Sequence, residues 1–118
     1  MKSRFSMLKK QHRLHKEEDI KRVLRKGRSF KTPLFVVYSA LNTEAESRAT
    51  VIVSNKISKK AVVRNKIKRR LRDVLKENKS QFKKNIDVVV VAKNTVVEAE
   101  YKDIKQTLSF ALKKLGCM

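Results

Sequence analysis

The stretch Lys56–Lys76, KISKKAVVRNKIKRRLRDVLK, is where the periodicity of the chain turns helical, and the helical spacing runs from Lys60 to about Asn78. At 100° per residue, Ile67, Leu71, Val74 and Leu75 fall within an arc of about 100°, the width of a core-facing stripe. Arg64, Asn65, Lys68, Arg69, Arg72 and Lys76 share a broad face on the other side. A charge run on a helix is ordinarily a solvated face stitched by acid–base pairs four residues apart. Here Asp73 is the only acid of the segment, so the bases repel one another along the helix. Such a face suits a polyanion, because guanidinium forks grip phosphate oxygens bidentately and Lys supplies point charges. The Asn65 amide both donates and accepts, so it can fix the turn into the helix or read a sugar or base edge. Wheel geometry leaves DNA and RNA equally open.

Outward from this helix the chain reads as strands. Leu34–Leu41 (LFVVYSAL) and Ala49–Ser54 (ATVIVS) are rich in β-branched and aromatic residues, with Asn42–Arg48 a polar loop of hairpin type between them. Downstream, Ile86–Ala92 (IDVVVVA) is almost continuously apolar, which predicts a strand buried on both faces. Residues 17–26 predict a short helix, with Ile20, Val23 and Leu24 at i, i+3, i+4, acids in the first turn, bases in the last and Gly27 as its cap. A last helix is expected over Glu98–Leu115. The order helix, two strands, helix, strand, helix predicts an α/β (α+β) two-layer sandwich, with helices packed on a small mixed sheet. At 118 residues the chain is expected to be one domain, 1–118, with residues 1–14 a basic, flexible segment.

The chain carries 31 Lys and Arg against 11 Asp and Glu, a formal net charge of +20. Residues 1–31 and 56–76 together hold 22 of those bases and only 4 acids, so the remaining 66 residues are close to neutral. An excess on this scale opposes compaction through self-repulsion, which points to a polyanionic partner. Nucleic acid leads. A membrane surface would favour a basic helix whose apolar face is free to insert, whereas these apolar faces are needed for a core. The hydrophobic fraction of 41% excludes a disordered basic tail. The single cysteine, Cys117, excludes an intrachain disulfide and sits in what reads as a flexible terminus with no basic set to make it a nucleophile. No apolar run approaches the ~18 residues needed to span a bilayer. The basic start lacks the apolar stretch of a secretory signal and the sustained amphipathic pattern of a transit peptide. His12 and His15 have no ligand cluster around them, Glu17–Asp19 reads as helix-start acids, and there is no Gly-rich phosphate loop.

The segment Ala61-Val62-Val63-Arg64-Asn65-Lys66-Ile67-Lys68-Arg69-Arg70-Leu71-Arg72-Asp73 resembles the signature helix of the bacterial ribonuclease P protein subunit, A-V-x-R-N-x-I-K-R-x-x-R followed by an acid. The likeness extends more loosely to Arg13-Leu14, to Glu18-Asp19 and Lys26-Gly27, to the FVVY strand and to the VVVVA strand with Lys93 after it. It implies a left-handed βαβ crossover, an exception to the usual rule, as in a fold shared with a domain of a small-subunit ribosomal protein. It also implies a protein that binds a catalytic RNA and the 5′ leader of precursor tRNA in the cytoplasm, with no membrane and no obligate protein partner. By that resemblance Arg64, Asn65, Lys68, Arg69 and Arg72 contact the catalytic RNA, and Lys76 extends their face. Ile20, Leu24, Tyr38, Lys56 and Lys93 fall on the cleft that holds the single-stranded leader.

The sequence departs from the family pattern at two places. Ile20 and Leu24 stand where phenylalanines are common, and Ser58-Lys59-Lys60 lacks a glycine before the helix. Tyr38 reads either as a stacking platform for a base or as a half-buried strand aromatic. The resemblance assigns hydrolysis to the RNA with Mg²⁺, so no catalytic residue and no metal site is expected in the protein, which alone should be inactive. Two other readings fit the charge: a small basic ribosomal or other structural RNA-binding protein, and a DNA-binding regulator that lays the basic helix in the major groove.

Overall fold

A computed structural model of the chain describes Leu14, residues 16–44 and residues 46–118. Among these, α1 (Glu17–Lys26), β1 (Arg28–Lys31), β2 (Phe35–Leu41), β3 (Arg48–Ile52), α2 (Ala61–Glu77), β4 (Ile86–Ala92) and α3 (Tyr101–Lys114) follow in order, with 3-10 turns at Lys79–Gln81 and Asn94–Glu98. The strands lie in the order β1-β2-β4-β3. β2 is antiparallel to both β1 and β4, and β3 is parallel to β4. The result is the mixed sheet with packed helices, α+β, that the residue pattern demands, and β3, α2 and β4 form its βαβ unit.

Asn42–Arg48 is not a hairpin loop, because β4 lies between the two strands it joins. β4 is buried along nearly its whole length and needs a partner on each edge, so β2 and β3 take those places. The loop crosses the start of β4, where the Asn42 N–H donates to the Asn85 carbonyl at 2.8 Å and its amide to Asp87 Oδ1 at 2.7 Å. The hairpin is β1–β2. Sequence reasoning missed β1 because RSFK offers a single apolar residue, Phe30. Thr32 closes its turn: the hydroxyl donates to the Phe35 carbonyl at 2.7 Å and accepts from the N–H groups of Leu34 and Phe35. α3 begins at Tyr101 rather than Glu98, since residues 94–98 wind as the 3-10 turn.

Two apolar clusters share the sheet. On one face α2 buries Ile67, Leu71, Val74 and Leu75 against Ile104, Leu108 and Leu112 of α3 and alternate residues of β2, β3 and β4. On the other, α1 covers a smaller cluster of Leu14, Val23 and Val89, flanked by Ile20, Leu24, Tyr38, Ala40, Ile52 and Val91. Leu14 corrects one expectation. It is 1% exposed, and its N–H donates to the Ala49 carbonyl at 2.9 Å, so it is held rather than flexible. Residues 1–13, with His12 and Arg13, and His15 lie outside the described residues. Cys117 also differs from its reading as a loose terminus. It is fully buried in the larger cluster, its N–H bonded to Leu112 and its carbonyl to Lys83, and burial pushes its thiol pKa up. Gly27 ends α1 in extended geometry, and a Cβ there would run into the carbonyl oxygens of Val23 and Ser39. The close approach of α1 to β2 requires the glycine.

Candidate nucleic-acid interface

The loop into α2 is built from serines where a glycine was missing. The Ser58 hydroxyl accepts the Lys60 N–H at 3.2 Å, and its carbonyl accepts Arg64 Nη1 at 2.9 Å. Ser54 does the same one step earlier, its carbonyl accepting from the Ile57 N–H and its hydroxyl from the Lys56 N–H. Arg64 therefore has a structural task, closing the loop onto the first turn of α2. No side chain caps the helix and its first turn holds no acid, so its positive N-terminal end adds to the charge of the side chains.

Along α2 the buried stripe is the one read from the wheel, but Arg64 falls on its line, seven residues before Leu71, and Lys68 at its edge, seven before Leu75, while Asn65, Arg69, Arg72 and Lys76 lie away from it. Asn65, Arg69 and Lys76 are exposed, while Arg64, Lys68 and Arg72 are half-buried, their stems lying along the fold. The two acids of the helix turn elsewhere. Glu77 pairs with Lys105 of α3 at 3.0 Å and accepts from the Tyr101 hydroxyl at 3.3 Å. Burial, with the Glu77 and Asp73 charges, pushes the Tyr101 phenol up to about 12. The acids of α2 thus lie toward α3, which leaves the outer face cationic.

On the opposite side of the sheet Ile20, Leu24 and Tyr38 come together, all half-buried in the cluster under α1. Tyr38 is level with Val89 of β4 and Ser29 of β1. Lys93 follows β4 and Lys56 lies in the loop after β3. Because these strands are parallel neighbours, both lysines stand at one end of this face. Lys56 is exposed. Lys93 is half-buried and donates to the Thr32 carbonyl at 2.6 Å, so it braces the β1–β2 turn while it lines that end. Lys31, paired with Val36, adds an exposed base at the sheet edge. It could have been found only by recognising β1 as a strand.

The feature that sequence reasoning did not find is the anchor of α1. Asp87 of β4 is fully buried and accepts from Arg22 Nη2 of α1 at 2.5 Å, from Arg48 Nε and Nη2 of β3 at 2.9 and 2.8 Å, and from Asn42. Its hydrogen bond raises the Arg48 pKa above the ordinary guanidinium value, and Asp19 of α1 approaches Arg48 at 3.6 Å. This ion cluster holds the helix across the sheet and so sets the width of the cleft. The only sequence signal was the lone acid in an otherwise apolar strand.

The model of the family described as Ribonuclease P matches residues 8–116. The chain is 34% identical over 105 residues to the ribonuclease P protein component of Alkaliphilus oremlandii, covering 89% of this chain and 91% of that one. A Streptococcus pneumoniae ribonuclease P protein component is 35% identical over 106 residues, 90% of this chain and 85% of the other. Among solved structures, the Staphylococcus aureus RNase P protein superposes with a TM-score of 0.82 at 33% identity, over 90% of this chain and 96% of its own. The Thermotoga maritima RNase P protein does so with a TM-score of 0.78 at 28% identity, over 86% and 96%. A match across nearly the whole length, in sequence and in fold, leaves one conclusion: the chain belongs to the ribonuclease P protein family.

Proposed function

We propose that this chain is the protein component of a ribonuclease P ribonucleoprotein, in which the outer face of α2 binds the catalytic RNA and the cleft between α1 and the sheet receives the single-stranded 5′ leader of precursor tRNA. The observation that carries the reading is α2 itself. Lys68 and Arg72, half-buried, and Arg69 and Lys76, exposed, form one basic side of the helix beside its buried stripe, with Arg64 at its first turn, while its acids turn to α3. Phosphate contacts of this kind position a polyanion and make binding steeply salt-dependent. The cleft supports the second half: a single strand is held by a positive groove with an aromatic platform, and Tyr38 lies there near Lys31, Lys56 and Lys93. Ile20 and Leu24 supply apolar contact to a base rather than ring stacking.

The RNA subunit performs the phosphodiester hydrolysis with Mg²⁺, and the protein binds and orients. Hydrolysis by a protein needs clustered carboxylates on metal ions or a placed acid and base. Among the described residues no three His, Cys, Asp or Glu side chains come together as metal ligands. Glu17 pairs with Lys21 and Asp19 with Arg48. Among the described residues no helix is long and apolar enough to cross a membrane, and the proposed place of action is the cytoplasm.

The test is a precursor tRNA cleavage assay across a Mg²⁺ titration, with protein alone, cognate RNA alone and both. Site-specific 5′ cleavage should require the RNA, and the protein should matter most at low Mg²⁺, where repulsion between the RNAs is least screened. Cleavage by protein alone that disappears on mutating Glu17, Glu18 or Asp19 would overturn the assignment of the catalyst.

A further inference from the structure

Past the C-terminal end of the basic stripe, the fold forms a half-open pocket of about 160 Å³ between the start of β3 and the segment 79–84. Its apolar lining comes from Leu75 of α2, Ala49 of β3 and the ring of Phe82. Lys79, Lys83 and Lys84 line it as well, the last two exposed. The rest of the wall is already occupied. Ser47 donates its hydroxyl to the Lys83 carbonyl and accepts the Ile86 N–H, Arg48 is turned to Asp87, and Glu46 makes its own interaction within the fold. What remains to recruit a ligand is an apolar floor with an aromatic ring beneath a cationic mouth.

From this arrangement the geometry points to a pocket for one unstacked nucleobase of a single-stranded RNA, with its flanking phosphates on Lys79, Lys83 and Lys84. Three features favour that occupant. Pockets that bind flat ligands are largely apolar with a few placed polar groups, as here. An apolar cavity of about 150 Å³ takes up benzene, so this volume matches the single six-membered ring of a pyrimidine. Lys79 stands three residues beyond Lys76, in the 3-10 turn just past the end of α2, so the line of bases on the helix leads toward the mouth. A base already single-stranded gives up least stacking on entering such a pocket, and Phe82 offers it a ring in return. The inference rests on the RNA-binding reading of α2 and extends its footprint to a site that reads a base, where the stripe itself meets only phosphates.

The experiment is an amide NMR titration of the full chain with cytidine 5′-monophosphate, against ribose 5-phosphate at equal concentration. The nucleotide should shift the amides of Ala49, Leu75, Phe82 and Lys83 at least threefold more than the base-free phosphate. Phe82→Leu should weaken the apparent affinity about fivefold or more, the loss expected for one base–aromatic stack. Equal shifts from the two ligands would reduce the mouth to an anion-attracting surface and overturn the proposal. So would larger shifts from an acetylated acidic tripeptide with a central leucine, which would make this a peptide site. The reading of α2 is tested separately. Lys68→Glu, Arg69→Glu, Arg72→Glu together should lose affinity for the catalytic RNA while keeping the nucleotide shifts at the cavity. If that variant keeps its RNA affinity, the α2 reading fails and the nucleotide shifts alone decide the cavity.

Discussion

Replacing Asp87 by Ala removes the carboxylate that three elements share. Three donor atoms, Arg22 Nη2, Arg48 Nε and Arg48 Nη2, lose their carboxylate acceptor, and Asn42 Nδ2 keeps only its longer bond to the Glu46 carbonyl at 3.3 Å among the described residues. The Arg48 side chain is 15% exposed and keeps the more distant Asp19 and the weaker pull of Glu44, whereas Arg22, 34% exposed, regains water more easily. Deleting one member of a buried ion pair costs about 3–5 kcal/mol, most of it the charge left behind. The partial exposure of Arg22 places this case near 3 kcal/mol. For a domain of this size each kcal/mol moves the melting temperature by about 4 °C, so Asp87→Ala should melt about 12 °C below wild type by circular dichroism. Asp87→Asn keeps the shape and one acceptor but not the charge, and should recover little of that loss. Because Arg22 belongs to α1, the change also frees the helix over the cleft. At a temperature where the variant remains folded, preference for precursor over mature tRNA should fall, while affinity for the catalytic RNA through α2 stays within about twofold. A melting temperature within about 4 °C of wild type would refute the reasoning, since a buried charge cannot be orphaned so cheaply.

Tyr38→Ala should cost the holoenzyme roughly 1–3 kcal/mol of its preference for leader-bearing tRNA, the worth of one base stack, with assembly on the catalytic RNA almost unaffected. Equal preference in mutant and wild type would make Tyr38 a packing residue of the α1 cluster. Cys117, fully buried and with its thiol pKa pushed up by that burial, should react with a disulfide reagent only as fast as the protein opens. Labelling in denaturant should be fast and labelling in buffer slow. Fast labelling of the folded chain would contradict the packed C-terminus.

The sequence was informative where one period dominated. Ile67, Leu71, Val74 and Leu75 could face only a core, and the almost continuously apolar β4 could sit only in the middle of a sheet. That second fact already implied that β2 and β3 are not neighbours, because a central strand takes an edge of each. The polar loop 42–48 masked the implication by looking like an ordinary hairpin turn. β1 was illegible for a different reason: an edge strand of four residues with one apolar side chain has no pattern to read, and its place is set by β2 and the Thr32 turn. The basic face of α2 was legible because charge and period coincide there. The tether of α1 was not, since Arg22, Arg48 and Asp87 are far apart in sequence and meet only when α1, β3 and β4 are stacked. Arg22, counted beforehand among the excess bases, turns out to be largely consumed inside the fold.

The central claim is that the outer face of α2 meets the phosphates of the catalytic RNA, and the salt dependence of that affinity tests it most directly. With about six phosphates neutralised, log affinity should fall with log salt at a slope of about −4 to −5. Lys68→Glu, Arg69→Glu, Arg72→Glu together should flatten the slope by about 2–3 and weaken binding by orders of magnitude, with the circular dichroism spectrum unchanged. An unaltered slope and affinity in that folded variant would contradict the account.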